Sequence, residues 1–384
     1  MKNLAKKTRK LALLIVCVGV SGLLFACNHY VGGTSEESKT PSINTVRGLN
    51  QNNNIQYWGF AVMVEEYIFL ADGLGIHRTD RAFEKIETLV LHETFHEDPA
   101  VISPGSMEYL AMFSDLQYYD NRVYFLDRRT ETIYSMNLDG SELTQVLSAS
   151  EITYDSRFDG FIVAHGKIFF GHFYPISLKS FDLETREITT YGTGGIFFSI
   201  NPDGSELHFS YDFALFGLNL KNGTIEDRMP HNIRNLPGHE LGVLGIITNR
   251  TASSGRIFFS TPHWEGSRIF VINDDGLAEE IYFNEGMIRR HINSVGEWIY
   301  FTVMAQGDEN RQHDLYRIRN DGSGVELVHE NFVSGTDGVP SIFINMFCED
   351  IILFKISPTF HDIYALIRNP DTGEFERKHI NPIS

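Results

Sequence analysis

The stretch WIYFTVMAQGDENRQHDLYRIRNDGSGVELVHE, residues 298–330, carries the pattern on which the fold turns. It opens with an apolar run, IYFTVM, rich in the aromatic and β-branched residues that suit a strand. A polar loop follows, then LYRIR, the step Asn320-Asp321-Gly322 and a last apolar segment. An Asp-Gly step between two such runs is a hairpin signal. The order is therefore strand, loop, strand, tight turn, strand. The same leading strand returns as YIFLAD (67–72), VYFLDR (123–128), IFFGHF (168–173), LHFSYD (207–212), IFFSTP (257–262) and IILFKI (351–356). The intervals run from about 40 to 56 residues, the repeat length of four-stranded propeller blades.

The paired strands that follow are as regular. TIYSMNLDGSELTQVL (132–147), SFDLETREITTY (180–191), RIFVINDDGLAEEIYF (268–283) and DIYALIRNPDTGEFERKHI (362–380) each hold two strands around a turn. Blade four is ambiguous. IFFSINPDGSELHFSYD (196–212) reads as first and second strands, yet its NPDGSEL echoes NLDGSEL (137–143), which stands between strands three and four. Helical periodicity is nearly absent. The expectation is an all-β fold, a β-propeller of seven blades with four antiparallel strands each, over residues 56–384; six and eight blades are the alternatives. The first repeat starts with its own innermost strand, GFAVMV (59–64), and the last ends with its outermost. No strand need be shared across the closure.

The segments IQYWGFAVMVEEYIFLADGLGIHRTD (55–80) and EWIYFTVMAQGDENRQHDLYRIRNDGSGVELV (297–328) resemble the bacterial β-propeller family named for its likeness to low-density-lipoprotein-receptor propellers. The resemblance covers the domain after residue 55. It implies a propeller and supplies no catalytic motif.

The N-terminus reads as an export signal, residues 1–26. Five basic residues, Lys2, Lys6, Lys7, Arg9 and Lys10, precede an apolar run from Leu11 to Ala26. Leu24, Ala26 and Cys27 resemble a lipoprotein processing site, which implies a diacylated Cys27, a membrane held through that lipid, and the extracytoplasmic face of a bacterial cell membrane. Residues 27–55 are polar and read as a flexible tether. Removing the leader takes the net charge from −18 to −23. So acidic a body argues against nucleic acid as a partner. Cys17 lies in the leader and Cys348 in an apolar strand, so no disulfide is expected within the mature chain.

LVLHETFHEDPA (89–100) contains a literal H-E-x-x-H, with His92 and His96 at zinc-ligand spacing. The motif needs a helix, and this one follows a strand and meets Pro99. ELVHENF (326–332) repeats His-Glu-x-Phe without the second histidine, which points to one repeat position in both blades. No metal and no cofactor is expected.

A ligand site is expected where the loops between strands two and three of different blades converge. The candidates there are His172, Tyr174, Tyr211, His263, Trp264, Arg311, His313 and His361. Aromatic rings beside polar groups suit sugar rings or peptide segments. The expected function is non-catalytic binding of a polysaccharide, peptide or protein. The alternatives are a propeller-type lyase or hydrolase with histidine and carboxylate on the loop face, and a sensor or assembly scaffold.

Overall fold

The computed structural model describes residues 59–72, 75–91, 113–152, 157–172, 177–192, 196–201, 204–211, 214–232, 249–253, 256–263, 266–285, 287–304, 313–333, 342–348, 350–356 and 362–380. They form seven four-stranded antiparallel sheets, each built from consecutive strands in chain order. Blade one holds β1 (Ala61–Val64), β2 (Tyr67–Ala71), β3 (Gly75–Asp80) and β4 (Ile86–Leu91). Blade two holds β5 (Phe113–Tyr119), β6 (Arg122–Asp127), β7 (Thr132–Asn137) and β8 (Thr144–Ser148). Blade three holds β9 (Phe158–Ala164), β10 (Lys167–His172), β11 (Ser177–Asp182) and β12 (Ile188–Gly192). Blade four holds β13 (Ile196–Ile200), β14 (Glu206–Tyr211), β15 (Ala214–Asn219) and β16 (Ile225–Asp227). Blade five holds β17 (Asn249–Ser253), β18 (Arg256–His263), β19 (Gly266–Ile272) and β20 (Ala278–Asn284). Blade six holds β21 (Met287–Val295), β22 (Trp298–Met304), β23 (His313–Arg319) and β24 (Glu326–Val333). Blade seven holds β25 (Ile342–Cys348), β26 (Ile351–Ile356), β27 (Ile363–Arg368) and β28 (Phe375–Ile380).

Burial falls from the inside of a blade outward, and the sequence follows it. Second strands such as β6 and β22 are buried along almost their whole length. Both of their faces meet a neighbouring blade, which is why they read as continuous apolar runs. Fourth strands such as β12 lie at the rim and are largely exposed. The first strands abut one another in order round the ring, with β25 against β1.

Each seam between adjacent blades has its own apolar cluster. Phe125 and Val62 meet between blades one and two, Leu126 and Phe170 between two and three, and Ile162 and Phe209 between three and four. Leu215 and Phe259, Phe258 and Phe301, and Tyr300 and Phe354 fill the next three seams. Full burial of one such side chain stabilises by about 1.5–3 kcal/mol. The last seam closes the ring: Phe60, Ile68 and Leu70 of blade one pack on Leu353, Ile363 and Ile380 of blade seven. Lys378 adds hydrogen bonds to the carbonyls of Ala82, at 2.7 Å, and Phe83, at 3.1 Å. No strand is shared, as expected.

The ambiguity in blade four resolves without an error in either register. Asn201 and Ser205 are joined side chain to side chain at 2.9 Å between β13 and β14. Asn137 and Ser141 are joined the same way, at 3.0 Å, between β7 and β8. In both turns the glycine N–H donates to the asparagine carbonyl, Gly204 to Asn201 and Gly140 to Asn137. One local turn serves two different hairpins, because turn chemistry depends on neighbouring residues and not on the strand number.

The His-Glu-x-Phe stretches are a correction. Arg78 stands opposite Glu87 and Arg317 opposite Glu326, ion-paired at 2.5 Å and 2.6 Å. With these pairs equated, the β-bulges after Ile76 and Leu315 also coincide, and His329 stands level with Val90. It does not match His92, which is two residues further on. Val90, not His92, takes the place of His329 in the blade, and His92 itself lies outside the described residues.

Candidate functional site

Strands alternate in direction within each sheet, so the turns joining strands one and two and strands three and four leave from one end of every blade. The connections from strand two to strand three, and from blade to blade, leave from the other end. The two ends are built differently. At the first, strands one and two are joined by two residues in every blade except the fourth, for example 65–66, 120–121 and 296–297. At the second, connections extend over 92–112, 228–248, 305–312 and 334–341.

The described candidate residues all fall at this loop-bearing end. His172, Tyr211 and His263 are the last residues of β10, β14 and β18. His313 is the first residue of β23, opposite Met304 and Val333, and is buried within blade six where a loop residue was expected. Tyr174, Trp264, Arg311 and His361 lie outside the described residues, as do Cys27, His92 and His96. Among the described residues, no group of three histidine, cysteine, aspartate or glutamate side chains is placed to hold a metal ion.

Beneath that end lies a buried polar layer that the sequence reading missed. Asp115 sits on innermost strand β5, in the left-handed region at φ 55°, beside a bulge between Ser114 and Gln117. One carboxylate oxygen accepts from Ser114 Oγ at 2.8 Å and from Arg128 Nη2 at 2.7 Å. The other, Oδ1, has no hydrogen-bond partner although the residue is 1% exposed. An αL aspartate with an orphaned buried oxygen is unusual on both counts. Arg128 Nε also donates to Ser114 Oγ at 3.0 Å. Nearby Glu131 accepts from the Phe158 N–H at 2.8 Å. Burial pushes its carboxyl above the ordinary value, against the opposing pull of that N–H and of Arg128 and Arg157.

Two further aspartates close the turns after second strands. Asp72 follows β2, accepts from the Gly75 N–H at 2.9 Å and stands 3.2 Å from His77 Nε2. That contact has ion-pair distance without hydrogen-bond geometry. Asp127 ends β6 and accepts from the Arg129 N–H and Thr130 Oγ1, each at 2.9 Å. The recurring strand-end aspartate in YIFLAD and VYFLDR was the available signal for this layer. Its first role is structural, since it satisfies the backbone of the turn.

No family profile matches this chain, and no curated protein does. Solved structures are similar in fold. A prolyl endopeptidase superposes with a TM-score of 0.52 at 9% identity, covering 87% of this chain and 51% of that one. The tricorn protease gives 0.42 at 18% identity, over 71% of this chain and 26% of that one. A putative TolB from Agrobacterium tumefaciens gives 0.40 at 17% identity, over 67% and 87%. This chain thus spans about a quarter of the tricorn protease and half of the prolyl endopeptidase. At such identities the likeness is one of fold alone: the chain is a seven-bladed β-propeller.

Proposed function

We propose that this chain is a lipid-anchored extracytoplasmic binding module, held by acylated Cys27 and taking a polysaccharide, peptide or protein partner on its loop-bearing end without chemistry. The resemblance to the bacterial propeller family stated above is part of this reading. One observation carries it: the asymmetry of the two ends. Tight turns close one end, while extended connections leave the other, where the described candidates His172, Tyr211, His263 and His313 end or begin their strands. Binding loops are where a rigid scaffold tolerates length and variety. The leader and its cysteine support the anchor, and the polar segment 27–55 gives the propeller reach from a membrane surface.

Two measurements test the two halves. Radiolabelled palmitate fed to cells should enter the wild-type chain and not Cys27→Ser; equal labelling removes the anchor. Binding to isolated cell-envelope polysaccharide and protein fractions should fall at least about tenfold in Trp264→Ala, the scale of one buried aromatic contact. Glu297→Ala, at the opposite end, should leave it unchanged. Equal loss from both ends, or from neither, would sink the binding-face assignment.

A further inference from the structure

Among the described residues one lysine is buried, and it lies at the seam that closes the ring. Lys355 stands near the end of β26, with its side chain 4% exposed. It reaches across from blade seven and donates through Nζ to the carbonyl of Ala71, the last residue of β2. The same Nζ lies 4.7 Å from the centroid of the Phe60 ring. Among the described residues, the charged and titratable groups facing it come from blade one. Asp72 adjoins Ala71, is 2% exposed, and is itself engaged by the Gly75 N–H and by His77. On blade seven the cross-strand partners of Lys355 are apolar, Phe343 on β25 and Ile363 on β27. An ammonium has three N–H donors and a strong hold on water. Here, among the described residues, it has one carbonyl, one ring face and a carboxylate already committed elsewhere.

We propose that Lys355 makes closure of the propeller pH-dependent, the seam between blades seven and one holding tightly around the neutral amine and loosening around the ammonium. No strand crosses this seam, so side-chain packing and these few hydrogen bonds are what join the ends of the chain. Burial lowers the amine's pKa from 10.5 to about 7, with Asp72 opposing the shift. The sign follows from proton counting. Between about 7 and 10.5 the unfolded chain holds a proton on this lysine that the folded chain has released. Stability therefore rises with pH across that window, and below it this group contributes no slope.

The test is urea unfolding of the full chain, wild type against Lys355→Met, from pH 5.5 to 9.5. The ratio of the wild-type folding equilibrium constant to that of Lys355→Met should climb about tenfold per pH unit above pH 7 and flatten below it. Leu353→Ala weakens the same seam without a titrating group, so its curve should parallel wild type. Backbone amide exchange, corrected for its intrinsic pH dependence, should report faster opening of β1, β2 and β26 at pH 6 than at pH 8.5, with β10 unchanged. Parallel curves for wild type and Lys355→Met overturn the proposal. If Lys355→Met does not fold, proton uptake decides: wild type unfolded in urea at pH 8.5, above the titration range of free histidines, should take up about one proton. No uptake at pH 8.5 overturns it as well.

Discussion

Glu206, at the start of β14, is a half-buried acid held between two bases. His208 Nε2 stands 3.3 Å from one oxygen, and Arg228 donates to the other through Nε at 2.7 Å. Burial raises the carboxyl's pKa, but hydrogen bonds and charge from His208 and Arg228 outweigh it, and the net shift is downward from 4.5. A depressed acid stabilises the fold above its unfolded pKa and loses that contribution as pH falls through the folded one. Glu206→Gln should therefore cost about 1–3 kcal/mol near neutral pH, the range for a charge-assisted bond left unmade. The gap should narrow as pH falls below 4.5 and through the depressed pKa of the wild-type carboxyl. Urea unfolding of both proteins from pH 7 downward through the acid range checks this, and a gap that shows no narrowing with falling pH refutes the assignment of charge. Gly217 shows how tightly the triad is seated, since a Cβ there would fall 1.8 Å from Glu206 Oε1.

At the scale of the element, the turn between strands three and four is also a joint between blades. Gly140 of blade two approaches Leu89 on β4 of blade one, and Gly322 of blade six approaches Ile281 on β20 of blade five. Both glycines have φ above 80°, and a Cβ on either would lie 3.1 Å from the neighbouring side chain. The turn aspartates fix the approach: Asp139 holds the Ser141 N–H and hydroxyl, and Asp321 does the same for Ser323. Gly322→Ala should cost about 2–3 kcal/mol, combining left-handed strain of about 1–2 kcal/mol with the clash. Gly373→Ala has the strain, but its nearest neighbour is an arginine tip at 3.8 Å. It should cost about 1–2 kcal/mol, and thermal unfolding of both variants ranks them. These joints explain what the sequence displayed. Strands and turns were legible because apolar runs and Asp-Gly steps are local signals. The polar layer around Asp115, Arg128 and Glu131 was not, because it joins β5, the end of β6 and the start of β9, which periodicity does not connect. The His-Glu-x-Phe likeness misled for the converse reason: similar residues sat in strands offset by two, and only the cross-strand Arg-Glu pairs reveal the register.

For the whole molecule, the question is whether the closing seam is an ordinary one. Its apolar cluster is as fully buried as the others, with Ile68, Leu70, Leu353 and Ile363 at 0% exposure. Its 3–4 turn contact differs from those of Gly140 and Gly322: Lys378 grips the Ala82 and Phe83 carbonyls, where those glycines meet the side chains of Leu89 and Ile281. At pH 8.5 Leu353→Ala in this seam and Leu126→Ala in the seam of blades two and three should each cost about 2–5 kcal/mol. The two should agree within about 1 kcal/mol, given the usual spread of such substitutions, by urea unfolding. A far larger loss for Leu353→Ala would mark the closure as the weak point of the ring. The number seven itself came from counting repeats, and it held because each repeat is one complete sheet. That same completeness reaches beyond stability. Since every blade is a single unbroken length of chain, a gene duplication or deletion of one repeat adds or removes an entire blade and leaves the strand pairing within its neighbours' sheets whole. A ring closed by a shared strand lacks that freedom, because its ends must be copied together. This molecule is built so that its circumference can change in whole steps, and new termini cut between any two blades would meet the same kind of seam that now joins the old ones.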